Sequence, residues 1–306
     1  MKIALTTSVL ALTAASAMAD CSTVTFSDVG WTDITATTAV ATTVLEALGY
    51  ATETRVLSVP VTYVSLEQGD VDVFLGNWMP TMEADIAPYL EKGTVDTLRA
   101  NLEGAKYTLA TNAAGAALGI TDFAAIAAQA DALDATIFGI EPGNDGNRLI
   151  LDMITADAFG LKDFDVKESS EQGMLSQVAR LSKKDEPIVF LGWAPHPMNA
   201  NFDLTYLSGG DEWFGPNYGG ATVHTNTRAG YVAQCPNVGA LLQNLSFSLE
   251  MENEIMGAIL NDGIEATDAA KTWLTANPSV LDAWLDGVTA ADETDGLSAV
   301  KTALGL

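Results

Sequence analysis

Val73-Phe74-Leu75-Gly76-Asn77-Trp78-Met79-Pro80 is answered in the second half of the chain by Val189-Phe190-Leu191-Gly192-Trp193-Ala194-Pro195. Each stretch is an apolar run of strand-forming residues that ends in Gly and is followed by a Trp and a Pro, the punctuation of a buried strand. Ligands of open α/β sheets bind beyond the carboxyl ends of the strands, where both tryptophans are expected. The prolines stiffen these loops, and each Gly lets the chain turn close to whatever lies opposite. The plainer reading is that each ring caps its own sheet; matched positions in two halves of one chain set a shared ligand site against it.

Working outward, Val24 to Phe26 reads as a short strand and Thr35 to Leu48 as a helix stopped by Gly49. Glu53 to Val59 and Val71 to Leu75 read as strands with a helical turn from Tyr63 to Gln68 between them. The pattern resumes with a helix from Ala124 to Ala132, a strand from Thr136 to Ile140, a helix from Asn147 to Phe159 and a strand from Ile188 to Leu191. From Val238 onward the chain is mostly helical, with Leu241, Leu245, Leu249, Ile255 and Ile259 at helical spacing. Strands separated by helices imply parallel pairing and an α/β fold. No low-complexity linker interrupts the chain, so any second domain is joined by ordered crossings.

The 306 residues carry 40 Asp and Glu against 14 Lys and Arg, a formal charge of −26, while 48% of them are hydrophobic. So many core-forming residues exclude a disordered chain. So large an acidic excess disfavours nucleic acid and anionic membranes as partners, because binding to phosphates is driven by cationic side chains. Small cations are drawn to such a surface. Met1-Lys2, an apolar stretch from Ile3 to Ala14, and Ala17-Met18-Ala19 before Asp20 have the form of a secretory signal peptide over residues 1–19. The apolar stretch falls short of the ~20 residues needed to span a bilayer. The mature chain is therefore expected to be exported and soluble. Cys21 and Cys235 are the two cysteines, and exported pairs oxidise. A lipid-modified Cys21 is the rival reading, which Asp20 opposes, because the lipoprotein peptidase needs a small residue there.

A third tryptophan follows the first strand in Ser27-Asp28-Val29-Gly30-Trp31-Thr32-Asp33, with a carboxylate two residues on. If Trp31, Trp78 and Trp193 converge, their negative π faces enclose a cation, and a quaternary ammonium suits such a cage because it has no N–H to donate. Trp273 and Trp284 fall in the helical tail and read as packing; Trp213, in Asp211-Glu212-Trp213-Phe214-Gly215-Pro216, reads as part of a domain crossing.

Phe26 to Asp33, Gly76 to Pro80, Gly143-Asn144-Asp145-Gly146-Asn147-Arg148 and Gly192-Trp193-Ala194-Pro195-His196-Pro197-Met198-Asn199 closely resemble the periplasmic choline-binding proteins of bacterial ABC importers, within the glycine betaine type of solute receptors. The resemblance implies an α/β clamshell of the type II periplasmic-binding-protein class, with discontinuous lobes joined by two crossings. The lobes expected are 20–103 with 213–306, and 104–212. It implies an aromatic box of Trp31, Trp78, Tyr107 and Trp193, hydroxyl partners Asp33 and Asn144, and a disulfide between Cys21 and Cys235. Tyr107 comes from the resemblance alone, since an isolated Tyr at a strand start reads as packing. The implied partners are choline, acetylcholine more weakly, and the membrane permease of the importer; the implied protein is a monomer in the periplasm without a cofactor.

Charge favours choline within that family. An ionised Asp33 compensates a cation and accepts from its hydroxyl, but repels the negative oxygen of glycine betaine or trimethylamine oxide. A betaine site wants donors, which the Gly143 to Gly146 loop, Arg148 or His196 could supply. Enzyme readings fare poorly: zinc, phosphate-loop, dinucleotide and nucleophile-elbow motifs are missing from the sequence. A choline-ester hydrolase built on Ser27 or Ser208 has no base to activate either. His196, between two prolines, reads as a structural loop residue.

Overall fold

The computed structural model describes residues 21–306; the expected signal peptide lies outside the described residues. The strands are β1 (Thr23–Asp28), β2 (Ala51–Val56), β3 (Val73–Met79), β4 (Val95–Asn112), β5 (Thr136–Phe138), β6 (Asp165–Lys167), β7 (Val189–Ala194), β8 (Leu204–Tyr206) and β9 (Gly220–Arg228). They lie in the order β2-β1-β3-β9-β4-β7-β5-β6, with β8 on the flank of β4. Pairing is parallel within β2-β1-β3 and within β7-β5-β6, each with helical crossovers, as the alternation of elements predicts. The middle differs from the all-parallel expectation: β9 runs antiparallel to both β3 and β4, and β4 runs antiparallel to β7.

β4 joins the two parallel groups. Its residues Val95 to Lys106 pair with β9, and Lys106 to Thr111 pair with β7, so Lys106 is where the strand changes partner. The register slips between Thr97 and Arg99, Ala100 and Leu102, and Leu102 and Ala105, beside Gly104 at φ +76°. Such bulges bend and twist a strand, which lets one strand serve two differently oriented groups.

The echoed stretches are strands up to the residue before each proline. β3 runs past Trp78 and β7 past Trp193, so both rings stand inside their strands rather than beyond them. Gly76 and Gly192 make no turn. A Cβ on Gly76 would lie 2.7 Å from Ile34 Cγ1, and one on Gly192 would lie 2.9 Å from Ala110 Cβ. The absent side chain is needed for close packing against the sheet face.

The helix Thr32–Ala47 has few solvent-facing residues, because the helices Leu249–Leu260, Ala266–Ala276 and Gly296–Leu304 pack over it. Thr62, Tyr63 and Leu66 of the helix Val59–Gln68 are buried, and Tyr63 packs edge-on against Phe74. Each large apolar side chain so buried contributes ~1.5–3 kcal/mol. The expected strand ending at Val59 stops at Val56, because Ser58 and Pro60 begin that helix. The Ala-rich Ala124–Ala132 segment is two 3-10 turns and the short helix Ala130–Leu133. Buried Phe123, held between Phe159 and Phe214, anchors that segment and overrides its helix propensity. The Leu241 to Ile259 periodicity spans two helices, Pro236–Asn244 and Leu249–Leu260.

Cys21 and Cys235 form a disulfide across 214 positions, tying the start of β1 to the helix Pro236–Asn244. Closing so long a loop stabilises by up to ~5 kcal/mol in the chain-entropy model and more often by ~2–4 kcal/mol. Reduction is therefore expected to lower the unfolding free energy by about that amount, seen as a lower urea midpoint, with a steeper slope because the reduced unfolded chain exposes more surface. An unchanged midpoint would show that the bridge contributes nothing.

Candidate functional site

The rings of Trp31, Trp78, Tyr107 and Trp193 meet around one small cavity, lined also by Asp33, Ile140, Asn144 and Asp145. All six residues singled out from the sequence lie in this lining. Trp31 is the cap residue of the helix Thr32–Ala47, and Asp33 lies in its first turn. Tyr107 is in mid-strand, directly opposite Trp193 across the β4–β7 pair. Its ring centroid is 6.2 Å from that of Trp193, 6.0 Å from Trp78 and 5.9 Å from Phe214, each edge-on. Edge-to-face packing leaves π faces free to turn inward. The first turn of the helix Asp145–Thr155 presses on Tyr107, where a Cβ on Gly146 would lie 2.1 Å from the phenol oxygen.

Two carboxylates enter this apolar box. Asp33 is 2% exposed; its Oδ2 accepts the Trp78 indole N–H at 3.0 Å, and its buried Oδ1 has no partner. Asp145 is fully buried; its Oδ1 accepts from Asn144 Nδ2 at 3.1 Å, and its Oδ2 has no partner. Burial, then the charge of Glu171, pushes the Asp33 carboxyl up to about 8. Burial raises Asp145 to about 7, with the charge of Asp85 adding to it and Thr81 and Arg148 opposing it. Loss of hydration disfavours the ionised form, and a nearby like charge adds to it. Asn144 Oδ1 accepts from Tyr107 Oη–H at 3.0 Å and from the Asn147 amide at 3.1 Å, which fixes the amide with one N–H to spare.

The surroundings are acidic as well. Trp31 donates its indole N–H to Glu141 Oε1 at 2.7 Å, and Glu252, buried beneath the helix Thr32–Ala47, is raised well above its ordinary range by burial and by Asp33. None of the lining residues is basic. Of the donors expected for a zwitterion, the Gly143 to Gly146 loop leads into the helix that borders the box, and the two side chains bond outside it, with Arg148 Nε left without a partner. Arg148 donates to Asp85 Oδ2 at 2.7 Å and to the Thr81 carbonyl at 3.0 Å. His196 is buried behind Trp193, with Nε2 3.2 Å from Glu171 Oε1.

Trp213 is half-buried in the short helix Asp211–Phe214 and stays outside the box; its neighbour Phe214 backs Tyr107. Trp284 packs edge-on with Phe247, as expected of a tail residue. Ser27 Oγ is bonded to Thr62 Oγ1 at 2.6 Å and Ser208 Oγ donates to the Thr121 carbonyl, so neither has a histidine partner. Sequence reasoning missed Asp145 and Ile140. Asp145 sits in the Gly143 to Arg148 stretch beside Asn144, but a first-turn acid ordinarily reads as a solvated helix start. Among the described residues no group of three or more His, Cys, Asp or Glu could hold a metal ion, and no helix is long and apolar enough to cross a membrane.

The chain is similar along almost its whole length to an ABC-transporter choline-binding protein. It is 71% identical to that protein in complex with choline, over 93% of this chain and 99% of the other, at a TM-score of 0.93. Against the unliganded semi-closed conformation the identity is again 71%, with 94% and 99% covered, and the TM-score is 0.87. The described chain thus lies nearer the ligand-bound shape. A lactococcal OpuAC in its closed form with glycine betaine matches at 25% identity over 86% and 98% of the two chains, with a TM-score of 0.77. These neighbours share the two-lobed α/β architecture. A family model described as the substrate-binding domain of ABC-type glycine betaine transport systems matches residues 22–276, and the chain belongs to that family.

Proposed function

We propose that this protein is the receptor of an ABC importer that binds choline in the aromatic box and delivers it to the membrane permease. The observation that carries this reading is a pair of buried carboxylates, Asp33 and Asp145, each with an oxygen lacking any partner, in an aromatic cage with no basic lining residue. A fixed cation supplies the missing charge to both. The four rings attract its methylated head, and Asp33 with the spare Asn144 N–H holds its hydroxyl. The lobes are 20–103 with 213–306, and 104–212, and they close about the Lys106 region of β4. Residues 1–19 direct the chain to the periplasm, where it acts as a monomer. Acetylcholine fits less well, because its hydroxyl is blocked and its ester adds bulk to a small cavity.

The family description and the betaine-bound neighbour favour a second reading, glycine betaine. Its carboxylate would require Asp33 and Asp145 to keep their protons, since no basic lining residue offers it a partner, whereas choline pairs with the ionised forms and gains a full charge interaction. Calorimetric titration with choline, glycine betaine, acetylcholine and trimethylamine oxide decides between the readings. Choline is expected to bind tightest, and equal or tighter binding of betaine overturns the proposal. Asp33→Asn keeps the shape and removes the charge. It is expected to weaken choline by ~1–3 kcal/mol and to leave betaine unchanged or improved. A common loss for both ligands would make Asp33 structural.

The pH dependence follows in sign. Asp33, at about 8 against an ordinary 3.8, and Asp145, at about 7, hold protons in the empty closed box that they release when exposed. Raised acids contribute stability to that empty box that is present below about pH 4 and is lost as pH rises towards 8. A bound cation favours the ionised forms and cancels the loss, so choline binding releases protons. The melting-temperature gain from choline is expected to grow from about pH 5 to about pH 8, and less steeply in Asp33→Asn. A gain that is flat with pH would contradict proton-coupled binding.

A further inference from the structure

Glu171 opens the helix Glu171–Ser182 and would, as an ordinary first-turn acid, face water. It is instead 1% exposed and reaches across to the other half of the molecule. Its Oε2 accepts the backbone N–H of Thr32 at 2.9 Å, and its Oε1 accepts the Thr32 hydroxyl. Thr32 is the first residue of the helix that follows β1, whose leading N–H groups have no partner within their own helix. Glu171 therefore caps a helix belonging to the opposite group of strands.

The same carboxylate is held from behind by His196. The His196 Nδ1 accepts the Met198 amide at 2.9 Å, so the proton resides on Nε2, which donates to Glu171 Oε1 at 3.2 Å. The His196 ring packs edge-on against Trp193, with centroids 5.0 Å apart. Thr32 stands between Trp31 and Asp33 in the chain. Glu171 thus pins the backs of both walls of the box, Trp31 and Asp33 on one side and Trp193 on the other, and touches no ligand space itself.

We infer that Glu171 is a closure latch, a positioning residue whose bonds to Thr32 form only when the two halves meet and which sets how long a trapped ligand stays. This rests on the reading of the protein as a receptor that closes on its ligand. When the halves part, water hydrates Glu171 and Thr32, so nothing in the open form depends on their pairing. The latch also places a negative charge beside Asp33, which makes closing an empty box unfavourable and closing on a cation favourable.

Stopped-flow tryptophan fluorescence tests it on the full chain with choline and, separately, glycine betaine, for the parent, Glu171→Gln, Thr32→Val and the double variant. Glu171→Gln keeps the shape but cannot accept three donors. Its dissociation rate is expected to rise about tenfold or more, with the association rate changed by less than about threefold. Thr32→Val is expected to raise dissociation by less, and the double variant by clearly less than the product of the two. The melting temperature of the ligand-free protein is expected to stay where it was. An unchanged dissociation rate, additive variants, or a rate change accompanied by a lower ligand-free melting temperature would overturn the latch. A parent that holds betaine rather than choline would overturn the ligand reading, and the latch would then be judged by the same criteria on betaine.

Discussion

A carboxylate removed from water needs a positive charge beside it, and the lining of the box offers Asp33 and Asp145 none, Arg148 reaching Asp145 only from outside it. Everything else about the site follows from that constraint. A buried unpaired charge costs several kcal/mol, so such groups take up protons or acquire a partner. Here the raised Asp33 and Asp145 hold protons when the box is empty. The proton equilibrium is the source of selectivity: a cation displaces those protons and pairs with the charge left behind, and an anion holds them in place.

The fold exists to bring those groups together from distant parts of the chain. Two parallel strand groups each send a tryptophan inward from an equivalent strand, β3 and β7, and β4 runs through both groups to place Tyr107 between them. Two helix starts deliver the carboxylates, Asp33 after β1 and Asp145 after β5. The rings exclude water, which raises the strength of every charge inside. The C-terminal helices over Thr32–Ala47 and the bridge from Cys21 to Cys235 hold the first of these groups in place.

Much of this was legible in the sequence, for identifiable reasons. The Gly-Trp-Pro pattern shows the paired strands because each is a short apolar run with sharp punctuation, and Trp31 with Asp33 follows the same logic after β1. The parallel groups follow from alternating elements. β4 escaped because its periodicity is broken three times by register slips and because it changes partner at Lys106, so no single alternation runs along it. β9 escaped with it, as half of an antiparallel pair that no local signal announces. Tyr107 was reached only through family resemblance. Glu171 and Asp145 escaped because acids at helix starts are ordinarily solvated; only the packing of the other half of the molecule buries them.

The central claim is that the box selects charge and not merely a trimethylated shape. Choline and 3,3-dimethylbutan-1-ol share outline and hydroxyl and differ by a carbon in place of the charged nitrogen. A titration of both at one pH separates attraction of the cation, to the rings and to Asp33 and Asp145, from burial of methyl groups. Cation–π attraction in a dry site is ~2 kcal/mol or more before the carboxylates are added, so choline is expected to bind at least about a hundredfold more tightly than its neutral isostere. Affinities within about threefold of each other would show that the cage works by apolar fit alone and would contradict the account.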